Sequence, residues 1–221
     1  MTSILTTHVG SLPRSKELSE LLFAKDKGEE YSKEKFDEVL SLNVDQIVKR
    51  QLEVGIDFIS DGEMSKISYA TYIKDRIDGF SGESERRAPA DLDDFPEYKE
   101  KIAKSGGTPT YSRPCCTDEL KIKDEISLLN DISNFNTSLK KFNHTKAFMN
   151  AASPGVINVF MPNKFYNSDD DYLNKLSSIM ASEYEKITTA NIQVQLDCPD
   201  LALARHMNFK DLSEDEFLKR A

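Results

Sequence analysis

Apolar residues recur along this chain with two different periods, and the changes of period outline its elements. Leu18, Leu21, Leu22 and Phe23 predict a short helix, followed by a charged segment from Lys25 to Glu34. Val39, Leu40, Val44, Ile47, Val48 and Leu52 keep the spacing of a buried helix face and predict a helix over roughly 34–54. Leu128, Leu129, Ile132, Phe135 and Leu139 predict another. A further stripe of Tyr172, Leu173, Leu176, Ile179, Met180, Tyr184 and Ile187 follows Ser168 and Asp171, which stand as an N-cap pair. Such a stripe is core packing. Between the helices lie β-branched or apolar runs near residues 3–9, 56–60, 145–152 and 192–197. A fifth strand region, 110–123, is read as two short strands turning across Thr117-Asp118-Glu119, and Ser153-Pro154-Gly155 as the turn that ends the run before it.

Five strand regions, each followed by helical material, predict an α/β fold. Right-handed crossovers would make it an open doubly wound sheet or part of a closed eight-stranded β/α barrel. No glycine-rich phosphate fingerprint is present, which weakens the nucleotide-binding alternative. Residues 81–108 are rich in Ser, Glu, Arg, Asp, Pro and Gly, and with the run up to 118 they read as an insertion or lid. Ser213-Glu214-Asp215-Glu216 is a capping box, yet the sequence stops at Ala221, so the chain is expected to be cut off inside a β/α series.

Composition narrows the partners. The 221 residues are 38 % apolar and carry a net charge of −9. That balance argues against duplex DNA or an anionic membrane surface. No run of eighteen apolar residues and no basic-then-apolar leader is present. Three cysteines, with Cys115 and Cys116 adjacent, do not build a disulfide framework, so a reduced, cytoplasmic setting is expected.

Two strands follow one script. A helix ends at Gly55 or Asn191, the residue types that best tolerate a left-handed backbone, and an acid (Asp61, Asp197) stands six residues later in each. If the strands are parallel, their C-terminal ends gather His8-Val9-Gly10-Ser11, Asp61-Gly62-Glu63, Asn150-Ala151-Ala152-Ser153 and Asp197-Cys198-Pro199-Asp200. Acids from two strands could hold an ammonium group while the Ser11 hydroxyl and a backbone N–H receive a carboxylate, an amino-acid pocket. The competing reading has Asp61 and Asp197 capping the following helices. His8 is the one histidine expected to face the site, with Asp61, Asn150 and Ser153 as further lining. Ligand spacings for a metal are missing, and Cys198 with His206 makes a poor pair.

Three of these segments carry a resemblance. Thr6-Thr7-His8-Val9-Gly10-Ser11-Leu12-Pro13-Arg14, Gly55 through Glu63, and Leu196-Asp197-Cys198-Pro199-Asp200 through His206 resemble, in order, the catalytic domain of cobalamin-independent methionine synthase. They are closer still to its short single-domain relatives. The resemblance implies that residues 1–221 are a partial TIM-barrel catalytic domain with about the first five β/α units. It implies zinc-dependent transfer of a methyl group from a methylated folate to the thiol of homocysteine, forming methionine. Val9, Gly10 and Ser11 would hold the amino-acid end together with Glu63 and Asp197, so the resemblance prefers Glu63 to Asp61. The family's zinc ligands, a His-x-Cys pair, a Glu and a further Cys, would lie beyond residue 221, leaving no metal ligand within this chain. Two departures stand out: Asp197-Cys198-Pro199 replaces Asp-Glu-Pro, and Met149 to Ser153 occupies the region of a family tryptophan in a chain with none. The alternatives are a related zinc-dependent alkyltransferase with another thiol acceptor or methyl donor, and an inactive fragment serving as a binding module. Oligomeric state is left open.

Overall fold

A parallel sheet with helices packed against it organises the computed structural model, which describes residues 4–84, 90–104 and 111–220. Its first helices are α1 (Lys16–Lys27) and α2 (Lys33–Glu53), each opened by a serine hydroxyl, Ser15 or Ser32, that accepts a backbone N–H of the first turn. Then come β1 (Ile59–Ser60), β2 (Ile77–Ser81), α3 (Pro96–Lys104) and β3 (Cys115–Ile122). The remainder is α4 (Ile126–Lys141), β4 (Ala147–Ala152), α5 (Pro154–Phe160), α6 (Asp169–Thr189), β5 (Gln193–Asp197), α7 (Asp200–Met207) and α8 (Glu214–Arg220).

The sheet order is β1-β4-β5, all parallel, and Thr7 adds a parallel bridge to Phe58 on the outer side of β1. Every residue of the central strand β4 is buried, the expected state of a parallel strand covered on both faces. Gly55 and Asn191 take positive φ, +81° and +58°, as the repeated script anticipates. One core cluster joins α1, α2 and α4 to the sheet through residues such as Leu18, Val48, Ile59, Phe135 and Met149. A second gathers Tyr72, Leu120, Ile157, Tyr172 and Leu176 around α5, α6 and the hairpin.

Three expectations need correction. The region 110–123 is not a fifth parallel unit, and it does not fold on itself. Cys115–Ile122 is one continuous strand, paired antiparallel with β2 in a separate two-stranded sheet. Burial of Cys115, Cys116 and Leu120 against the second core anchors it there. The register shifts between Asp78 and Phe80, where Gly79 (φ +102°) leaves a Cβ position only 2.9 Å from the Asp118 carbonyl oxygen. The parallel arrangement therefore has four segments, not five. The run 3–9 contributes one bridge rather than a strand; Ser3 lies outside the described residues. Asp57 accepts from the Thr6 N–H and hydroxyl, and the Thr7 hydroxyl donates to the Phe58 carbonyl, so side chains occupy partners that a ladder would use. Finally, Ser153-Pro154-Gly155 opens a helix: Ser153 caps α5 and proline fills its first position.

The excursion expected at 81–118 leaves the end of β2 and returns at the start of β3, where Ser81 pairs with Cys115. It carries a 3-10 turn, Ala90–Asp94, and α3. Residues 85–89 and 105–110, part of that reading, lie outside the described residues.

Candidate functional site

Register fixes which strand ends share a rim. Ser60 aligns with Phe148, and Ala152 with Asp197, so the residues following β1, β4 and β5 emerge at one end of the sheet. At the first of these ends the chain makes a strained turn. Gly62 has φ +68° and Glu63, a residue with a Cβ, has φ +56°. A non-glycine residue held there costs roughly 1–2 kcal/mol, and such strain concentrates at functional turns. Four contacts hold the turn. The Ser60 hydroxyl accepts the Gly62 N–H at 3.1 Å and Asp61 Oδ1 accepts the Glu63 N–H at 3.0 Å. The Gly62 carbonyl accepts the Leu12 N–H at 3.1 Å, and Arg14 donates to the Glu63 carbonyl at 2.7 Å. A Cβ on Gly62 would lie 2.7 Å from Met64 Cε, so the turn is also tightly packed.

That turn aims Glu63 inward at 1 % exposure. Ser11 donates its hydroxyl to Glu63 Oε2 at 2.7 Å, while Oε1 is buried without a hydrogen-bond partner. Gly10, φ +81°, sets the bend that brings Ser11 there, and Val9 beside it points to solvent at 74 % exposure. Asp61 is buried too, but its work is in the turn. Burial pushes its carboxyl above the ordinary range, opposed by the charge of Lys66 and the Glu63 N–H. Sequence spacing alone favoured Asp61; the turn geometry assigns the inward carboxylate to Glu63.

Asp197, at the end of β5, accepts from one amide: Asn150 Nδ2 lies 3.1 and 3.2 Å from its two oxygens. The Asn150 carbonyl in turn receives the Lys66 ammonium. Tyr69 lies within electrostatic reach of both acids. Burial raises its phenol, and the charges it senses include Arg113, Asp197 and Glu63. Its ring meets Phe160 edge-on at 5.5 Å, and the Arg113 guanidinium lies 4.6 Å over the Phe160 ring.

The other candidates fall elsewhere. The Ser153 hydroxyl accepts the Val156 N–H and donates to Asp200 at 2.8 Å, so it is occupied in joining α5 to α7. His8 does not join the acids. It lines a hollow of about 600 Å³ against α2, with Asn43, Ile47 and Gln51. Its position one residue beyond the Thr7 bridge turns it to the flank of the sheet. Sequence reasoning missed Arg14, Lys66 and Tyr69. A cation three residues after Glu63, and an Asn inside an otherwise apolar strand, were the available signals for the contact between Lys66 and Asn150.

Polar groups at the C-terminal ends of parallel strands, here with one buried carboxylate oxygen left unpaired, are the arrangement in which α/β folds place small-molecule sites. Comparison with known proteins is more particular. Residues 4–89 match the family described as "Cobalamin-independent synthase, Catalytic domain". A methionine synthase of Sulfolobus acidocaldarius is 25 % identical over 200 residues, covering 90 % of this chain and 52 % of that protein. A 5-methyltetrahydropteroyltriglutamate–homocysteine methyltransferase of Bifidobacterium longum is 33 % identical over 75 residues, 34 % of this chain and 10 % of that protein. Among solved structures, a B12-independent methionine synthase from a Shewanella species, in complex with selenomethionine, aligns with TM-score 0.64. Its identity is 16 %, over 89 % of this chain and 52 % of that one. A putative vitamin-B12-independent methionine synthase from Listeria monocytogenes aligns with TM-score 0.54 at 18 % identity, over 88 % of this chain and 53 % of that one. The likeness to that family model is thus confined to the N-terminal part of the chain, and the chain spans about half the length, or less, of the relatives it matches.

Proposed function

We propose that this chain forms the thiol-amino-acid side of a methyltransferase that passes a methyl group from a methylated folate to homocysteine, giving methionine. One observation carries the reading: Glu63 Oε1 is buried and unpaired beside Ser11, while Asp197 is held on the same rim by Asn150. A primary ammonium has three donors and satisfies such a pair of carboxylates. In this reading the backbone N–H groups of Val9, Gly10 and Ser11 take the carboxylate end, which leaves the thiol directed toward the methyl donor. The four parallel segments, with neither outer edge paired among the described residues, support half of an eight-stranded β/α barrel. The excursion 81–118 is an insertion in this domain.

Among the described residues no group of three His, Cys, Asp or Glu side chains could hold a metal ion. The described residues of this chain therefore do not fit the zinc of the family, and no step is derived through it. The chemistry assigned here is binding and orientation. A reduced, cytoplasmic setting suits a thiol substrate, and the three cysteines are free. Among the described residues, no helix is long and apolar enough to cross a membrane. A different methyl donor is the second reading, favoured by the absence of tryptophan from the chain.

The test is calorimetric titration of the full-length protein with L-homocysteine. Glu63→Gln and Asp197→Asn each remove a charge without removing volume, and affinity is expected to fall roughly 10- to 100-fold in each. Wild-type affinity in both variants would dismiss the pocket.

A further inference from the structure

Lys66 and Asn150 are almost wholly buried, at 3 % and 2 % exposure, and neither is needed to touch the ligand itself. Lys66 lies one tight turn beyond Glu63, its N–H bonded to the Glu63 carbonyl at 3.0 Å. Its own carbonyl is gripped by Arg14 at 2.8 Å. The side chain then passes 4.3 Å above the Tyr72 ring and ends on the carbonyl of Asn150, across in β4. Asn150 sends its amide on to both oxygens of Asp197. The two acids of the pocket, far apart in sequence, are therefore joined by an unbroken chain: Glu63, Lys66, Asn150, Asp197.

We propose that Lys66 and Asn150 are positioning residues that set the orientation of Asp197 toward the ammonium group of the ligand. The inference rests on the pocket reading above and adds how one of its acids is aimed. Asp197 is only partly buried, at the last residue of a strand, and a carboxylate there rotates freely about its terminal torsion. One amide bonded to both oxygens removes that freedom. A purely structural account serves Lys66, which neutralises the buried carboxylates Asp61 and Asp131. It does not serve Asn150. An amide in the centre of a fully buried strand is costly unless its hydrogen bonds are used, and its Nδ2 is spent on Asp197 alone.

The experiment compares two ligands on the full-length protein: L-homocysteine and 4-sulfanylbutanoate, the same molecule without its amino group. Asn150→Ala is expected to weaken L-homocysteine roughly tenfold and to leave 4-sulfanylbutanoate unchanged, because only the former has an ammonium for Asp197 to meet. Asn150→Ser, small and polar but unable to span both oxygens, serves if the alanine variant does not fold. Lys66→Arg is expected to keep the wild-type ratio of the two affinities and Lys66→Met to lose it. A ratio unchanged in the Asn150 variants while Asp197→Asn lowers it overturns the relay and spares the pocket. A ratio unchanged in Asp197→Asn as well overturns both.

Discussion

Arg76 holds two carboxylates on one guanidinium, Asp131 at 2.5 Å and Glu183 at 2.9 Å, and all three are buried. Their carboxyls respond in opposite directions. Burial raises Asp131, with Arg76 and Ser65 offsetting only part. For Glu183 burial also raises, but the charges of Arg76 and Lys66 and the Tyr72 hydroxyl at 2.5 Å outweigh it and hold the carboxyl below its ordinary value. Stability contributed by Glu183 is complete above the ordinary glutamate range and is lost as pH falls through the lowered value. Removing the cation reverses that sign. Arg76→Met leaves two uncompensated buried acids whose carboxyls rise, at a cost of about 3–5 kcal/mol at neutral pH. Urea unfolding of the variant and the wild type should show the gap narrowing from pH 7 to pH 5 as the variant's acids protonate; a gap that widens refutes the assignment. The thiols offer a second measurement. Burial pushes Cys116 up to about 11, so at pH 8 only about a thousandth is thiolate, while Cys198 is partly exposed. Iodoacetamide should therefore label Cys198 well before Cys116 in the native protein, by peptide mass spectrometry. These charges were illegible beforehand, because a lone Arg or Lys in a mixed segment reads as solvated surface until an acid from a distant helix meets it.

Helix α5 meets α7 through an acid and a missing side chain. Asp200 Oδ2 sits 2.0 Å from the place where a Cβ on Gly155 would stand, and Asp200 is fixed there by the Ser153 hydroxyl. Gly155→Ala gains roughly 1 kcal/mol of helix propensity and meets an overpacking cost of about 1–3 kcal/mol. The clash should win, giving a lower thermal midpoint; Gly155→Ala combined with Asp200→Ala should recover it. Calorimetry of the single and double variants decides, and additive losses would place the clash elsewhere. The same region marks where element reading succeeds. α2, α4 and α6 were legible because each is long enough for its apolar stripe to repeat several times, and a Ser N-cap marks the start of α2 and of α6. α5 is seven residues, too short for a stripe, and its serine-proline opening reads equally as a turn. β2 was passed over because Ile77-Asp78-Gly79-Phe80 carries a glycine at a bulge and buries only Ile77 well. At the rim, Ser11, Glu63 and Asp197 were legible because turn and strand-end residues keep their local motif, whereas the Lys66 link depends on tertiary reach.

Across the whole molecule the β2–β3 ladder packs on the second core cluster, and the excursion leaves and rejoins the chain within that ladder. Ser81 and Cys115 face each other in the β2–β3 ladder, so their backbones are already a strand's width apart, about 5 Å. Residues 83–113 can therefore be replaced by a short type I′ turn without moving either strand. Shortening the loop also lowers its closure entropy, though only by about 1–2 kcal/mol at this length. Against that gain stand the Ser112 bonds to Asp26, at 2.9 and 3.2 Å, which tie the returning segment to α1. Asp26 keeps Lys74 at 2.9 Å after the cut, so it is not left as an unpaired buried charge. The balance is close to zero, and the shortened protein should unfold within a few degrees of wild type by differential scanning calorimetry. The cut removes Arg113 from the Phe160 ring, and takes both Tyr111 and Arg113 out of the electrostatic surroundings of the Tyr69 phenol, while Ser11, Glu63, Asn150 and Asp197 remain in place. L-homocysteine affinity should thus survive the excision, and the Tyr69 phenol should titrate lower, nearer its ordinary value, by ultraviolet difference spectroscopy, because Tyr111, the larger of the two influences removed, raises it. Loss of homocysteine binding in a shortened protein of native stability would show instead that the amino-acid pocket is completed by the excursion rather than by the strand ends.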